Sequence, residues 1–262
     1  MNATKKFLSI GTLLLIIAAG AEAFAQESDQ FELTVAPYAW FPNVKGDVTI
    51  GQQTTNLDLG ANADIDKTEF AGVLQLEARF GRFGLFLQPN YFKVDDSQEI
   101  LRTHVDLTMK FWMLEFGGFF RLIELGKTGA HPSAGLDLLV GGRYWGISTE
   151  THLSSPVNVT ERGESAHITE PFIGLRLSTF LTNHLFFKAR GDFGGFGVST
   201  NDVKSRYTWQ ALASLGYQFN PLFGIEAGYR WMSVDMKNES LPFNNEINLD
   251  IKGPFAGALF RF

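Results

Sequence analysis

The 262-residue sequence contains no cysteine, which excludes a disulfide framework, a thiolate metal site and a cysteine nucleophile. Its five histidines are scattered, with no spacing that is typical of a metal site. No glycine-rich phosphate loop precedes a helical segment, and the glycines recur within strand-like segments instead. The sequence therefore predicts neither a metal site nor a cofactor.

Clusters of basic residues are also missing. The formal net charge is −6, and Lys and Arg are not concentrated in any one segment. Because phosphate backbones are bound by clustered Lys and Arg, nucleic acid is not an expected partner. After Gln26 the chain also lacks an apolar run long enough for a transmembrane helix, which argues against an inner-membrane protein.

The first 25 residues predict a signal peptide. Lys5 and Lys6 form a basic start, residues 7–19 are apolar, and Ala23-Phe24-Ala25 fits the small-residue cleavage pattern. An uncleaved membrane anchor is the alternative, because the apolar run is close to the lower limit of a spanning helix. We expect residues 1–25 to be removed and residues 26–262 to form one domain, either periplasmic or folded in the outer membrane.

Aromatic residues and glycine, in contrast, are abundant. The chain has 25 Phe and 27 Gly, and 14% of its residues are aromatic. From Phe31 onward, apolar and polar residues alternate with a period of two, in segments of about ten residues. Short turns and longer polar loops alternate between these segments. The pattern predicts an all-β protein whose strands span a membrane.

The segments predict a closed antiparallel transmembrane β-barrel of about ten strands, with eight or twelve as alternatives. They are residues 31–40, 69–80, 85–94, 103–122, 135–148, 167–181, 185–199, 207–219, 222–234 and 245–262. Residues 46–51 and 54–60 predict a small hairpin in the first long loop, and twelve strands would result if it extended the wall. The apolar face changes parity near Phe111–Met113 and at Gly253-Pro254, so we predict a β-bulge at each place.

The last ten residues, GPFAGALFRF, carry a family resemblance. Apolar residues occupy every second position from Ala256 to Phe262. The stretch resembles the C-terminal signature strand of Gram-negative outer-membrane proteins, which the barrel-assembly machinery reads in that family. The resemblance implies an outer-membrane location among lipid and lipopolysaccharide, with Phe260 and Phe262 as the assembly signal. We expect these two rings to face lipid, and Phe255 and Arg261 to face inward.

Aromatic residues also concentrate at the predicted strand ends. Those beside the short turns are Phe80, Phe83, Phe180, Phe186, Phe219, Phe223 and Phe262. Those toward the longer loops are Trp40, Tyr91, Tyr144, Tyr207, Trp209, Tyr229 and Trp231. Two belts predict the two membrane interfaces, whereas a soluble periplasmic β-protein, the alternative, would bury such residues in mid-strand.

The inward positions of the predicted strands collect charges of both signs. They are the acidic Glu77, Glu115, Asp137, Glu170, Asp192 and Glu226 and the basic Arg79, Arg121, Arg143, Arg176, Lys188, Arg190 and Arg230. Side chains fill most of the interior of a barrel of this size, and unpaired buried charge is costly. These residues therefore predict a lumen charge network of ion pairs and hydrogen bonds. Such an interior resembles the polar plug of the outer membrane protein A type, with a narrow gated pore as the alternative.

Two enzyme classes use barrels of similar size. Lipid A deacylases of the small-barrel type need a His-x-Ser pair near the last strands, whereas residues 228–236 contain Ser233 and no His. Outer-membrane proteases of the aspartyl type use an acidic pair that faces a His-Asp pair at the outer rim.

The protease pattern is not matched in spacing. The residues nearest to it are Asp95-Asp96 and His104, together with His152 or His167. We expect a barrel that is not an enzyme and that has a structural role, a surface-interaction role or limited small-solute passage. The alternative is an outer-membrane hydrolase that acts on lipid A or peptides.

Overall fold

The computed structural model describes residues 31–50, 53–59, 71–100, 103–126, 133–154, 159–200, 203–238 and 245–262. The predicted signal peptide lies outside these ranges. The strands are β1 (Phe31–Trp40), β2 (Asn43–Ile50), β3 (Gln53–Leu59), β4 (Ala71–Phe80), β5 (Phe83–Ile100), β6 (Thr103–Leu125), β7 (Ser133–Ser154), β8 (Val159–Phe180), β9 (Leu185–Gly194), β10 (Ser199–Thr200), β11 (Val203–Gln218), β12 (Phe223–Asn238) and β13 (Asn245–Arg261).

No helix in the described part of the chain is long and apolar enough to cross a membrane.

Ten of these strands form a closed antiparallel wall. The order around the wall is β1-β4-β5-β6-β7-β8-β9-β11-β12-β13, and β13 pairs back onto β1. The closing register sets Thr34 opposite Arg261 and Trp40 opposite Phe255. The predicted ten-stranded barrel is therefore confirmed, and the alternatives of eight and twelve strands are wrong.

The hairpin predicted in the first long loop is present as β2 and β3. Strand β1 pairs with the second half of β13, and β2 pairs with the first half of β13. The register is the same in both, because Trp40 lies opposite Phe255 and Asn43, three residues later, lies opposite Lys252. Strand β2 therefore continues β1 after an interruption at Phe41-Pro42. The hairpin lengthens the wall and adds no strand to its circumference.

The barrel has a turn end and a loop end. The turn end carries the short connections at residues 81–82, 181–184 and 219–222, together with Phe262, and the opposite end is the loop end. Strand β6 has 23 residues and strand β7 has 22. A tilted strand needs about 9–11 residues to cross the hydrocarbon core, so these strands extend well beyond it. The extension lies at the loop end.

An apolar band surrounds the wall between the turn end and the middle of the strands. Its members include Leu85, Val140, Ile173, Leu215 and Ile225, all of which are exposed. Three of the residues predicted to form aromatic belts do not belong to this outer surface. Trp40, Phe180 and Phe186 are buried, because they occupy the inward parity of their strands.

Both predicted bulges are wrong. Strand β6 pairs regularly with β5 and β7 through Phe111–Met113, and β13 pairs regularly with β12 through Gly253 and Pro254. The register shifts lie instead between Arg121 and Ile123 and between Ser205 and Tyr207. The apolar residues change parity without a bulge because they face outward near the turn end and face the lumen near the loop end. In the loop half the lumen is apolar, so Leu249 and Ile251 are buried on the same inward parity that carries Arg261 near the turn end.

Some inward glycines make room for aromatic rings of neighbouring strands. A Cβ added at Gly216 would lie 2.0 Å from the ring of Phe186, and one added at Gly84 would lie 2.1 Å from the ring of Phe119. These glycines let large side chains lie flat against the wall, where they narrow the lumen.

Candidate functional site

The candidate site is the lumen, which has three successive levels. Along β12, from the loop end to the turn end, the inward residues are first apolar, then Arg230, then Glu226. The same order recurs on β6 and β8. We name the levels the apolar layer, the central network and the turn-side cavity.

The apolar layer fills the lumen at the loop side. It comprises Trp40, Val44, Ala71, Val73, Phe92, Phe111, Met113, Trp145, Ile168, Met232, Val234, Met236, Leu249, Ile251 and Phe255. Each of these is at most 5% exposed. The rings of Phe92 and Phe111 stack with centroids 4.5 Å apart, and Trp40 packs edge-on against Phe92. Such packing resembles the core of a soluble domain, because it excludes water on all sides.

Arg143 of β7 is the centre of the central network. Its guanidinium reaches Glu115 at 2.8 Å, Asp192 at 2.7 Å and Glu170 at 3.4 Å. Arg143, Glu115 and Glu170 are all 0% exposed. Desolvated charges of this kind persist only where opposite charges and hydrogen bonds surround them.

Glu170 of β8 is held by neutral groups as well as by Arg143. The hydroxyl of Thr208 lies 2.6 Å from its carboxylate, and the indole N–H of Trp145 donates to it at 3.1 Å. The hydroxyl of Ser205 also donates to it. These contacts join the central network to the apolar layer, to which Trp145 belongs.

Arg230 of β12 and Arg190 of β9 complete the central network. Arg230 donates to Gln210 at 2.7 Å and to Asn90 at 2.9 Å, and lies 3.4 Å from Glu115. Arg190 lies 3.2 Å from Glu115 and 2.9 Å from Asp192. Arg230 also lies over the ring of Trp40, so the same side chain contacts both levels.

A second set of ion pairs borders the turn-side cavity. Arg176 of β8 donates to Glu77 at 3.0 Å and to Asp137 at 2.8 Å. Asp137 also accepts from Arg121. Arg79 lies 3.3 Å from Glu32 and 3.6 Å from Glu124.

The turn-side cavity has a volume of about 120 Å³. Lys188 lies on its wall, 2.6 Å from Glu226, and Ser214 donates to the same carboxylate at 2.9 Å. Arg261 also lines the cavity, with its guanidinium over the rings of Phe180 and Phe186.

All thirteen residues of the predicted lumen charge network lie inside the barrel, and each is ion-paired. Glu115, Arg143, Glu170, Arg190, Asp192 and Arg230 belong to the central network, and Glu77, Arg79, Arg121, Arg176, Lys188 and Glu226 line the turn-side cavity. Asp137 pairs with Arg121 and Arg176 from behind the cavity wall. The prediction omitted the neutral partners Asn90, Ser205, Thr208 and Gln210. Asn90, Thr208 and Gln210 lie on the inward parity of their predicted strands, so alternation marks them, whereas Ser205 faces the lumen only because of the register shift between Ser205 and Tyr207.

Phe260 lies on the outward parity of β13, where it contacts Phe223 of β12 with ring centroids 5.4 Å apart. Phe262 directly follows β13 and exchanges two backbone hydrogen bonds with Leu33 of β1. Phe255 is buried in the apolar layer and Arg261 faces the cavity, as predicted. A role of the two terminal rings as an assembly signal stays a prediction.

The residues nearest to the protease pattern lie on the backbone of β5, β6, β7 and β8. The register sets Asp95 opposite Thr108 and Asp96 opposite Leu107, and His104 lies opposite Glu99. The side chains of these residues and of His152 lie outside the described part, whereas His167 is exposed. Among the described residues, no group of three or more His, Asp or Glu side chains could hold a metal ion.

No protein-family model matches this chain, and no curated protein sequence matches it either. Among solved structures, the barrel is similar to the outer membrane protease OmpT from Escherichia coli, with a TM-score of 0.52 and 8% identity, over 90% of this chain and 98% of that chain. It is also similar to Ail, the attachment invasion locus protein of Yersinia pestis, in complex with the heparin analogue sucrose octasulfate. That comparison gives a TM-score of 0.39 and 13% identity, over 88% of this chain and 99% of that chain.

The likeness to the protease concerns the fold alone, since so few residues are shared. Each strand of the closed wall forms backbone hydrogen bonds with a neighbour on both sides, so the spanning region has no open edge. The apolar band on the outer surface suits contact with the hydrocarbon core of a membrane. The chain therefore has the fold of an outer-membrane β-barrel, with ten strands.

Proposed function

We propose that this barrel does not conduct solutes and that it serves as a rigid support for its loop end, in a structural or surface-interaction role. The observation that carries the proposal is the packed apolar layer. Ions and small polar solutes cross a barrel through a hydrated interior. At the level of the apolar layer, packed apolar side chains occupy the lumen instead.

The layer draws its residues from around the wall. Trp40 comes from β1, Phe92 from β5, Trp145 from β7 and Met232 from β12, and Leu249 lies on β13. Opening a passage would therefore require several large side chains from different strands to move together. Each such movement would leave a void or expose apolar surface.

The central network supports closure from the turn side. Arg143 binds three carboxylates that belong to β6, β8 and β9. Moving this guanidinium aside would leave buried carboxylates without their cation, at a cost of several kcal/mol, about 3–5 for comparable buried pairs. Such a network ties the strands together across the lumen.

The loop end is the part offered to partners. Strands β5, β6, β7 and β8 continue beyond the apolar band at the loop end. A rigid interior beneath such an extension suits a surface-interaction role. It also suits a purely structural one.

Planar-bilayer recording tests the closed state. The refolded protein is expected to give no reproducible conductance, whereas the triple variant Phe92→Ala, Phe111→Ala, Trp145→Ala is expected to conduct if it folds. Folding of both proteins is checked by faster migration on gels without heating. Reproducible conductance steps from the unaltered protein would contradict the proposal.

The same proposal holds that the protein is not an enzyme. The purified barrel is incubated with lipopolysaccharide and, separately, with a mixed peptide library, and the products are measured by mass spectrometry. No deacylated lipid A and no cleaved peptide is expected. Accumulation of either product with time and protein concentration would favour an outer-membrane hydrolase instead.

A further inference from the structure

The turn-side cavity has a feature that a structural plug does not need. Its wall carries an excess of positive charge. The cationic groups on it are Arg79, Arg121, Arg176, Lys188, Arg190 and Arg261. Among the described residues that line the cavity, four carry a carboxylate: Glu32, Glu77, Glu124 and Glu226.

Further carboxylates neutralise some of these cations from behind the wall. Asp137 pairs with Arg121 and Arg176, and Glu115 and Asp192 pair with Arg190. None of these three carboxylates lines the cavity. The charge that faces the cavity is therefore positive even though the lumen as a whole is nearly balanced.

Arg261 differs from the other cations on this wall. It makes no ion pair with a carboxylate among the described residues. Its guanidinium lies 5.5 Å from the ring centre of Phe180 and 5.7 Å from that of Phe186. A guanidinium held over aromatic faces keeps its N–H groups available at the edge, because these donors lie in its own plane.

Lys188 places a second cation near the same position. Its ammonium lies 5.0 Å from the centre of the Phe186 ring, so Phe186 carries two cationic neighbours. Lys188 has Glu226 as its ion-pair partner, whereas Arg261 pairs with no carboxylate in the described part of the chain. An anion beside Arg261 would reduce the repulsion between the two cations.

We propose that the turn-side cavity binds a small oxyanion, a carboxylate or phosphate group, with Arg261 as its main ligand and Lys188 nearby. The cavity reaches the turn end, where Gly126 lines it, and the apolar layer closes the lumen on the other side. The anion therefore enters from the aqueous phase at the turn end. A lipid cannot enter the cavity laterally, because the spanning wall is closed.

The test is calorimetric titration of the refolded full-length protein with inorganic phosphate and, separately, with succinate. Saturable binding of at least one probe is expected, and the two titrations distinguish phosphate from carboxylate as the preferred group. Arg261→Gln is expected to lower the affinity about tenfold or more, since it removes a charge-assisted hydrogen bond. Arg206→Gln, which changes an arginine far from the cavity near the loop end, is the matched control and is expected to leave the affinity unchanged.

A second variant guards against a folding defect at the C-terminal strand. Glu226→Gln removes the partner of Lys188 and makes the cavity more positive, so it is expected to tighten binding several-fold. Absence of binding by both probes to the unaltered protein would overturn the proposal. An affinity of Glu226→Gln equal to that of the unaltered protein would also overturn it. So would an affinity of folded Arg261→Gln equal to that of the unaltered protein. Each result is independent of whether the barrel conducts.

Discussion

The membrane half and the loop half of this barrel are built with opposite polarity on the same ten strands. In the membrane half, apolar side chains such as Val140 face outward, and ion-paired residues such as Arg176 face the lumen. In the loop half, Leu249 and Ile251 face the lumen, and Asn248 and Asp250 are exposed outside. Strands β6 and β13 pass from one half to the other with no shift in their pairing to β5 and β12.

The difference follows from what surrounds each half. Lipid favours apolar side chains on the outside, so the polar residues of the membrane half are confined to the lumen. Above the membrane, water surrounds the wall, and the interior is then free to pack like a soluble core. The boundary between the two arrangements lies at the central network, where Arg230 contacts Trp40.

Replacement of Arg143 is expected to have the largest effect on stability. Arg143→Met would leave Glu170 buried without a cation, since no other ion pair to Glu170 exists among the described residues. We expect a loss of about 3–5 kcal/mol in the free energy of unfolding. Denaturant titration of the protein in lipid vesicles, followed by tryptophan fluorescence, measures it.

The control for this variant is Arg206→Met. Arg206 pairs with Asp235 and Glu246 near the loop end, and its side chain is 42% exposed. An exposed pair of this kind contributes about 0–1 kcal/mol. Equal losses for the two variants would show that burial does not distinguish the central network from a surface ion pair.

A lysine on the outer surface distinguishes the two halves directly. Val140 lies in the apolar band and is 55% exposed, so Val140→Lys is expected to cost about 2–4 kcal/mol near the middle of the membrane. Asn248→Lys changes an exposed residue of the loop half and is expected to alter stability by no more than about 0.5 kcal/mol. The same denaturant titration compares them, and a small cost at Val140 would place that position outside the lipid.

The strand ladder, the number of strands and the inward charges could be predicted because they depend on local alternation. Glu115, Arg143 and Arg176 each stand between outward apolar neighbours, so their parity is visible in the sequence. Their partners could not be assigned, because Glu115 meets Arg230 only through closure of the barrel. Alternation alone does not say which cation crosses the lumen to which carboxylate.

The two predicted bulges failed for a different reason. Both bulge predictions assume that the parity of the apolar residues marks the lipid face along the whole strand. That assumption holds for Phe116 and Phe120, which are outward, but not for Phe111 and Met113, which are buried in the lumen. A period-two pattern reports which residues share a face, and the environment of that face has to come from the other strands.

The smallest expected effect concerns the close approach of a ring to the wall. Gly216→Val would place side-chain atoms where the Phe186 ring lies, and we expect a loss of about 1–3 kcal/mol from the forced repacking. Gly191→Val is the control, because a Cβ there meets only one backbone oxygen at 4.0 Å. A denaturant midpoint that moves equally for both would argue against the ring contact.

The exchange of inside and outside can be measured most directly with single cysteines along β13, since the chain has no native cysteine. A water-soluble maleimide is expected to label variants at Asn248, Asp250 and Lys252 quickly and those at Leu249 and Ile251 slowly. Probes at Ala256 and Ala258 are expected to be quenched by lipids that carry a quencher. Rapid labelling at Leu249 and Ile251 with protection at Asp250 and Lys252 would contradict the account, because it would mean that the strand changes faces at Pro254.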